Sequence, residues 1–200
     1  MNSAISHRMI TLGLCALTIA STAYSQDEGQ LPDWTADQEL VGLLDEPCVD
    51  SRITIRPPVD FRRVDRPNPP ELSDRGAYNY GWIPGEGWPR GTNLSVGLTP
   101  FAKPSSSALD KTVEGMKQSI QENLKDVQFG DVKKGTFRGK EARMGKFTAE
   151  ISGKKLAAFY LIGIDERGSF ACTAMLPLSE ATSEKSRVLK ASLLTFDRAE

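Results

Sequence analysis

Histidine is almost absent from this sequence of 200 residues, which holds a single one, His7. His7 falls within residues 1–25, a segment that we expect to be removed as a secretory signal peptide. The mature chain would then carry no imidazole. This absence excludes Ser-His-Asp and Cys-His catalysis, histidine-ligated zinc or iron, and a histidine pH switch.

Three features of residues 1–25 predict the signal peptide. Arg8 supplies a basic start, and residues 9–20 form an apolar run that is too short to cross a bilayer as a helix. Ala23 and Ser25 then place small side chains where a signal peptidase needs them, which predicts cleavage after Ser25. We therefore expect a secreted or periplasmic protein.

The sequence also lacks an excess of charge of either sign. Its 25 Lys and Arg residues are balanced by 26 Asp and Glu residues, for a net charge of −1. Nucleic-acid-binding domains normally carry a strong basic excess, so the composition gives no support to a nucleic-acid partner. After the signal peptide no apolar stretch has the length of a membrane-spanning helix, which predicts a mature chain without a transmembrane segment.

Cysteine is scarce, and only Cys48 and Cys172 follow the predicted signal peptide. Two cysteines in an exported protein can form a disulfide, because compartments outside the cytoplasm are oxidising. Alternatively, Cys172 is a buried thiol, since it alternates with Phe170 and Ala174 in a strand-like run. The sequence leaves both alternatives open.

Motifs for catalysis, metal binding and cofactor binding are missing as well. The sequence has no Gly-x-Ser-x-Gly, Cys-x-x-Cys or EF-hand pattern, and Gly85, Gly87 and Gly91 lack the spacing of a dinucleotide site. Asp165 and Glu166 are a candidate carboxylate pair, but they fall in a predicted hairpin turn, where such residues are favoured by turn geometry alone. We predict a chain that is not an enzyme and holds no metal or cofactor.

The rest of the chain divides into an acidic lead, residues 26–47, and a single domain, residues 48–200. We expect the lead to be flexible, although Trp34 and the apolar residues around Leu40 can form a short helix that docks on the domain. Within the domain, apolar residues at every second position predict strands, and the almost entirely apolar run at residues 156–164 predicts a strand covered on both faces. The predicted strands cover residues 51–55, 77–83, 92–99, 132–137, 143–151, 156–164 and 169–176.

Two segments have the periodicity of amphipathic helices. The apolar stripe of the first consists of Leu109, Val113, Met116, Ile120 and Leu124. Ser107, three residues before Asp110, resembles the start of a capping box and predicts where this helix begins. The second helix is expected over residues 182–194. Residues 61–71, rich in proline, are expected to form a long extended loop.

The arginines in and before this loop form a cluster: Arg56, Arg62, Arg63 and Arg66. Such a cluster is usually a solvated edge. It can also pair with the acidic lead or contact an anionic surface.

An aromatic segment is the strongest positive signal for binding. Tyr78, Tyr80 and Trp82 occupy every second position, so they share one face of a strand, and Trp88 and Arg90 follow in a loop rich in glycine and proline. Aromatic faces bind sugars, peptides and cations. The alternative is that the alternating side chains pack one face of the sheet, with Trp88 the most exposed of the set.

The order of these elements is strand, long loop, two strands, helix, several strands and helix. Together with the phrase Gly139-Lys140-Glu141-Ala142-Arg143, the apolar strand that holds Phe159 and Tyr160, and the closing helix near Ser192-Leu193, this order resembles the PsbP-like/DcrB-like family of small domains. The resemblance covers Cys48 to Asp197. It implies an α+β fold with an antiparallel sheet of about six strands and two main helices packed on it as an α/β/α sandwich.

The resemblance also implies a function class. Members of this family are mostly non-catalytic binding or accessory proteins, often exported to the periplasm or the thylakoid lumen, and the resemblance supplies no catalytic motif. Our first hypothesis is therefore an exported, non-catalytic binding or accessory protein of the cell envelope, whose partner is an unidentified envelope protein or glycan. The alternatives are a carbohydrate- or peptide-binding module that uses Trp82 and Trp88, and a hydrolase that uses carboxylates alone.

Overall fold

A computed structural model of the chain describes residues 31–65, 76–100 and 105–199. The predicted signal peptide, the first five residues of the acidic lead and the prolines of the predicted loop lie outside the described residues. From Leu31 onward the chain forms one compact unit, so the folded body includes most of the predicted lead.

Eleven strands are described. They are β1 (Cys48–Val49), β2 (Ile53–Ile55), β3 (Phe61–Asp65), β4 (Tyr78–Pro84), β5 (Asn93–Thr99), β6 (Lys125–Phe129), β7 (Lys133–Phe137), β8 (Lys140–Ile151), β9 (Lys154–Asp165), β10 (Gly168–Pro177) and β11 (Asp197–Arg198). Eight of them form an antiparallel sheet in the order β3-β4-β5-β10-β9-β8-β6, with β7 also paired to β8. A second, three-stranded sheet has the order β1-β2-β11.

The described residues also form three α-helices: α1 (Gln38–Val41), α2 (Ser106–Asn123) and α3 (Glu184–Leu193). The N-cap of helix α2 lies two residues earlier than the sequence predicts, because the side chain of Ser105, not Ser107, accepts a hydrogen bond from the Ala108 amide. Among the described residues, no helix is both long enough and apolar enough to cross a membrane.

Strand β9 lies at the centre of the packing because both of its faces are covered. Ala157, Phe159 and Leu161 point into the core that contains Leu189 and Leu193 of α3. The alternate residues Ala158, Tyr160 and Ile162 belong to the core that contains Leu109 and Val113 of α2. Since successive side chains of a strand point to opposite faces, the two helices pack on opposite sides of the sheet.

The antiparallel α+β architecture and all seven predicted strands are confirmed, but the expected count of about six strands in the sheet is too low. Edge strands β3 and β6 account for the difference. In β3, Arg62 and Arg63 are exposed and only Phe61 is buried. The first part of the segment predicted as a loop over residues 61–71 is therefore a charged edge strand. In β6, Asp126 has a positive φ of 49° beside a shift in register with β8, which interrupts the alternating pattern.

The described part of the acidic lead packs on the domain. Leu40 of α1 and the nearby Leu44 are buried against Val188 and Ala191 of α3. The backbone of Trp34 also pairs with Thr136 in β7. The short docking helix expected near Leu40 is therefore present, and it covers the outer side of α3.

Cys48 and Cys172 are not bridged in the structure, and the disulfide stays a prediction. Cys172 lies in β10 with no exposed surface, inside the core beneath α3. Burial raises the pKa of its thiol well above the ordinary value. Cys48 lies in β1 and is partly exposed.

We predict that a thiol-alkylating reagent modifies Cys48 but not Cys172 in the native protein, because only Cys48 is accessible and burial keeps Cys172 protonated. After unfolding without a reductant, both residues are expected to react. Mass spectrometry of the digested protein measures this. A denatured, unreduced protein in which neither residue reacts would show that the two are bridged.

A matched pair of glycine substitutions tests the central sheet. A Cβ at Gly163 in β9 would overlap the Phe170 ring on β10, its direct partner, whereas a Cβ at Gly115 on the exposed side of α2 meets nothing. We expect Gly163→Ala to lower the free energy of unfolding by about 1–3 kcal/mol through overpacking. Gly115→Ala is expected to raise it by up to about 1 kcal/mol. Denaturant titration measures both, and equal effects would contradict the packing described for β9.

Candidate functional site

A recess of about 230 Å³ lies where the small sheet meets one end of the main sheet. We call it the arginine recess and define it by Ser51, Arg52, Tyr78, Leu98, Arg167 and Arg198. Ser51 and Arg52 come from the turn between β1 and β2, Arg167 from the turn between β9 and β10, and Arg198 from β11. Two turns and one strand that are distant from one another in sequence thus bring three guanidinium groups together.

Arg198 is the buried member of the recess, with a side chain only 8% exposed. Its Nη1 donates to Asp165 Oδ1 at 2.7 Å and its Nη2 donates to the Ser169 carbonyl at 2.8 Å. Its buried Nε has no hydrogen-bond partner among the described residues. Burial lowers the pKa of this guanidinium and the Asp165 carboxylate opposes that effect, so Arg198 remains a cation with one donor unused.

Arg52 and Tyr78 form the exposed side of the recess. The Arg52 guanidinium lies 3.7 Å from the centre of the Tyr78 ring, and its Nη2 donates to the Tyr78 hydroxyl at 2.9 Å. The side chain of Arg52 forms no ion pair with a carboxylate within the described ranges. A cation that is held in place by an aromatic ring and lacks a counterion remains available to an external anion.

Asp165 is the carboxylate shared by the other two arginines. Its Oδ2 lies 3.9 Å from Nη2 of Arg167, while its Oδ1 accepts the shorter bond from Arg198. Arg167 also donates to the Ala199 carbonyl. Within the described residues, two guanidinium groups therefore share one carboxylate and that of Arg52 has no ion pair, which gives the described part of the recess a surplus of positive charge.

Asp50 supports the recess from the turn between β1 and β2. It accepts hydrogen bonds from the Arg52 amide, the Tyr80 hydroxyl and Nη2 of Arg63, at 3.2 Å in each case. Burial alone would raise the pKa of its carboxyl, but the bonds from Arg63, Tyr80 and Arg52 outweigh burial and lower it. Asp50 thus fixes the backbone that carries Arg52.

The structure separates the residues of the predicted aromatic surface. Tyr80 and Trp82 are buried in the core, with 5% and 1% exposure, so neither ring is available to a ligand. Tyr78 is exposed and lies in the arginine recess. Trp88 packs edge-on against Phe61 at 4.9 Å and is partly buried, and Arg90 is exposed in the same loop.

The arginine cluster predicted as a solvated edge is also divided. Arg62 is exposed on β3, and Arg63 pairs with Asp50 at 3.2 Å. Nε of Arg56 donates to the carbonyl of Asp45, which belongs to the acidic lead. Arg66 lies outside the described residues.

Sequence reasoning missed Arg52, Arg167 and Arg198. Arg167 lies in a turn and Arg198 lies in a strand of two residues, so no periodic pattern marks either residue. Arg198 reaches the recess through the pairing of β11 with β2, which places it opposite Ile53. Arg52 and Arg167 lie in turns, and nothing in the sequence says which arginines meet.

Comparisons with known proteins support the fold. No family model and no curated protein matches the sequence. The solution structure of cyanobacterial PsbP (CyanoP) from Synechocystis sp. PCC 6803 aligns with a TM-score of 0.57 at 11% identity, covering 78% of this chain and 93% of that chain. LpqN from Mycobacterium tuberculosis, which is involved in cell envelope biogenesis, aligns with a TM-score of 0.49 at 15% identity, covering 84% and 99%. The likeness to CyanoP confirms that this chain has a PsbP-like fold.

The lowered pKa of Asp50 generates a prediction about acid stability. A carboxylate whose pKa is lower in the folded state stabilises that state above its unfolded pKa, and this stabilisation disappears as the pH falls through the folded pKa. We expect Asp50→Asn to cost about 0.5–1 kcal/mol at neutral pH, since Arg63 is partly exposed, and less at an acidic pH below the unfolded pKa of about 3.9. Urea titration at the two pH values measures it, with Asp131→Asn as the control. An equal cost at both pH values would contradict the role given to Asp50.

Proposed function

We propose that this protein is an exported, non-catalytic binding or accessory protein of the cell envelope, and that the arginine recess binds an anionic group of its partner. The observation that carries the proposal is the sharing of one carboxylate, Asp165, by Arg167 and Arg198 beside Arg52, which forms no ion pair with any described residue. Guanidinium groups present several donors in a fixed plane, which suits carboxylate and phosphate oxygens.

The composition of the recess supports binding without catalysis. Arginine keeps its proton at all physiological pH values, so it cannot transfer protons as a general acid or base. Asp165, the carboxylate nearest the recess, is engaged by Arg198 and by the Arg167 amide. The neighbouring Glu166 pairs with Lys140 at 3.0 Å. The two members of the candidate carboxylate pair thus have different partners, which weakens the hydrolase alternative.

The carbohydrate- or peptide-binding alternative has less support, because it needs the indole faces of Trp82 and Trp88. Trp82 is 1% exposed, and Trp88 lies against Phe61 with Lys185 Nζ at 5.8 Å from its ring. The arginine recess still offers the exposed Tyr78 beside Arg52, which forms no ion pair with any described residue. The residues available to a partner therefore favour an anionic group over the face of a neutral sugar.

Affinity capture from the envelope fraction tests the proposal. We expect the wild-type protein to retain a partner that the double variant Arg52→Gln, Arg167→Gln loses, with affinity reduced at least about tenfold, because charged hydrogen bonds contribute roughly 1.5–3 kcal/mol each. Mass spectrometry of the exported protein is expected to find Gln26 at its N-terminus.

Arg90→Gln is the matched control, since Arg90 is exposed outside the recess. We expect it to capture the same partner as the wild type. Loss of the partner with Arg90→Gln alone would favour the aromatic segment that the sequence singled out. Identical capture by all three proteins would refute the recess as the binding site, and an intact residue 1–25 segment on the exported protein would refute cleavage.

A further inference from the structure

A second opening in the molecule lies between α3 and the edge of the main sheet formed by β6 and β8. It is a cleft of about 440 Å³ that shares no lining residue with the arginine recess. We call it the lysine cleft and define it by Gln128, Lys146, Ala157, Phe159, Leu178 and Lys190. None of the functions considered above uses it.

The floor of the cleft is an apolar part of the sheet beside α3, where Ala157 and Phe159 are 4% and 9% exposed. Lys146 of β8 is the direct neighbour of Phe159 on β9, and Thr148 is the neighbour of Ala157. Direct neighbours on adjacent strands point to the same face, so these four side chains line the same side. Leu178, in the short 3₁₀ turn after β10, is 39% exposed at the margin of the cleft.

Two lysines converge on this floor from opposite sides. Nζ of Lys190 on α3 lies 3.9 Å from the centre of the Phe159 ring. The stem of Lys146 crosses Gly130, where a Cβ would lie 2.9 Å from the lysine Cγ. The ammonium of Lys190 therefore lies on the Phe159 ring, the stem of Lys146 lies against Gly130, and both side chains line the cleft.

The charge of these lysines is not balanced locally. Within residues 31–65, 76–100 and 105–199, neither ammonium forms an ion pair with a carboxylate, and the described lining of the cleft holds no Asp or Glu. Burial lowers the pKa of Lys190, and repulsion from Lys146 lowers it further. Two like charges held together over an apolar floor are stabilised when an anion enters.

From this arrangement we infer that the lysine cleft binds an alkyl carboxylate, an amphiphile with one carboxylate head and a hydrocarbon chain. The head lies between the ammonium groups of Lys146 and Lys190. The chain lies along Ala157 and Phe159 toward Leu178. A small anion would leave the apolar floor exposed to water, and an alkyl cation would be repelled by both lysines, so the lining selects for both parts of the ligand.

Isothermal titration calorimetry with laurate below its critical micelle concentration tests the inference. We expect laurate to bind the wild-type protein, and Lys146→Met and Lys190→Met each to weaken binding at least about tenfold, because methionine keeps an apolar stem and removes the charge. Acetate, which has the head without the chain, and dodecylammonium, which has the chain with the opposite charge, are expected not to bind at the same concentrations.

Two variants serve as controls. Lys111→Met removes an exposed lysine of α2, on the other side of the sheet, and Arg52→Gln alters the arginine recess. Both are expected to bind laurate as the wild type does. The inference is overturned if laurate does not bind, if both cleft variants keep wild-type affinity, if acetate or dodecylammonium binds equally well, or if Arg52→Gln alone abolishes binding.

Discussion

Burial of strand β9 on both faces is the constraint on which the rest of the structure depends. Its alternate residues supply Phe159 and Leu161 to one core and Tyr160 and Ile162 to the other. A strand of this kind needs a cover on each side, so α2 and α3 must occupy opposite faces of the sheet. The lysine cleft lies on the face that α3 covers, between this helix and β6.

The arginine recess depends on a different kind of contact, made over long sequence distances. Strand β11 has two residues, yet its pairing with β2 places Arg198 beside Asp165, where the buried ion pair of 2.7 Å connects the end of the chain to the β9–β10 turn. A buried ion pair contributes little net stability, because desolvation of both charges opposes their attraction. The ion pair instead fixes the position of the Arg198 guanidinium at one end of the main sheet. One donor atom of that group, Nε, has no partner among the described residues.

The sequence predicted the fold better than the site, for a physical reason. Alternation in 169–176, the continuous apolar run in 156–164 and the stripe on α2 result from local burial, which leaves a recognisable pattern along the chain. Edge strand β3 left no such pattern, because one face of an edge strand meets solvent and accepts arginine. Tyr80 and Trp82 followed the alternation of the core, and their aromatic character could not show whether that face was buried. Arg52, Arg167 and Arg198 come together only in the tertiary structure, and their convergence leaves no periodic pattern in the sequence.

The net charge of −1 does not predict the charge at either opening, because it does not describe how the charged residues are distributed over the molecule. The acidic side chains of Asp110, Glu114 and Glu122 lie on α2, which packs on the face opposite α3. On the α3 side, Lys146 and Lys190 are left without carboxylates in the described lining. At physiological ionic strength exposed charges more than about 8 Å apart are largely screened, so each opening responds to its own neighbours and not to the molecule as a whole. A nearly neutral chain can therefore present two separate candidate sites for anions without the strong basic excess that is typical of nucleic-acid-binding domains.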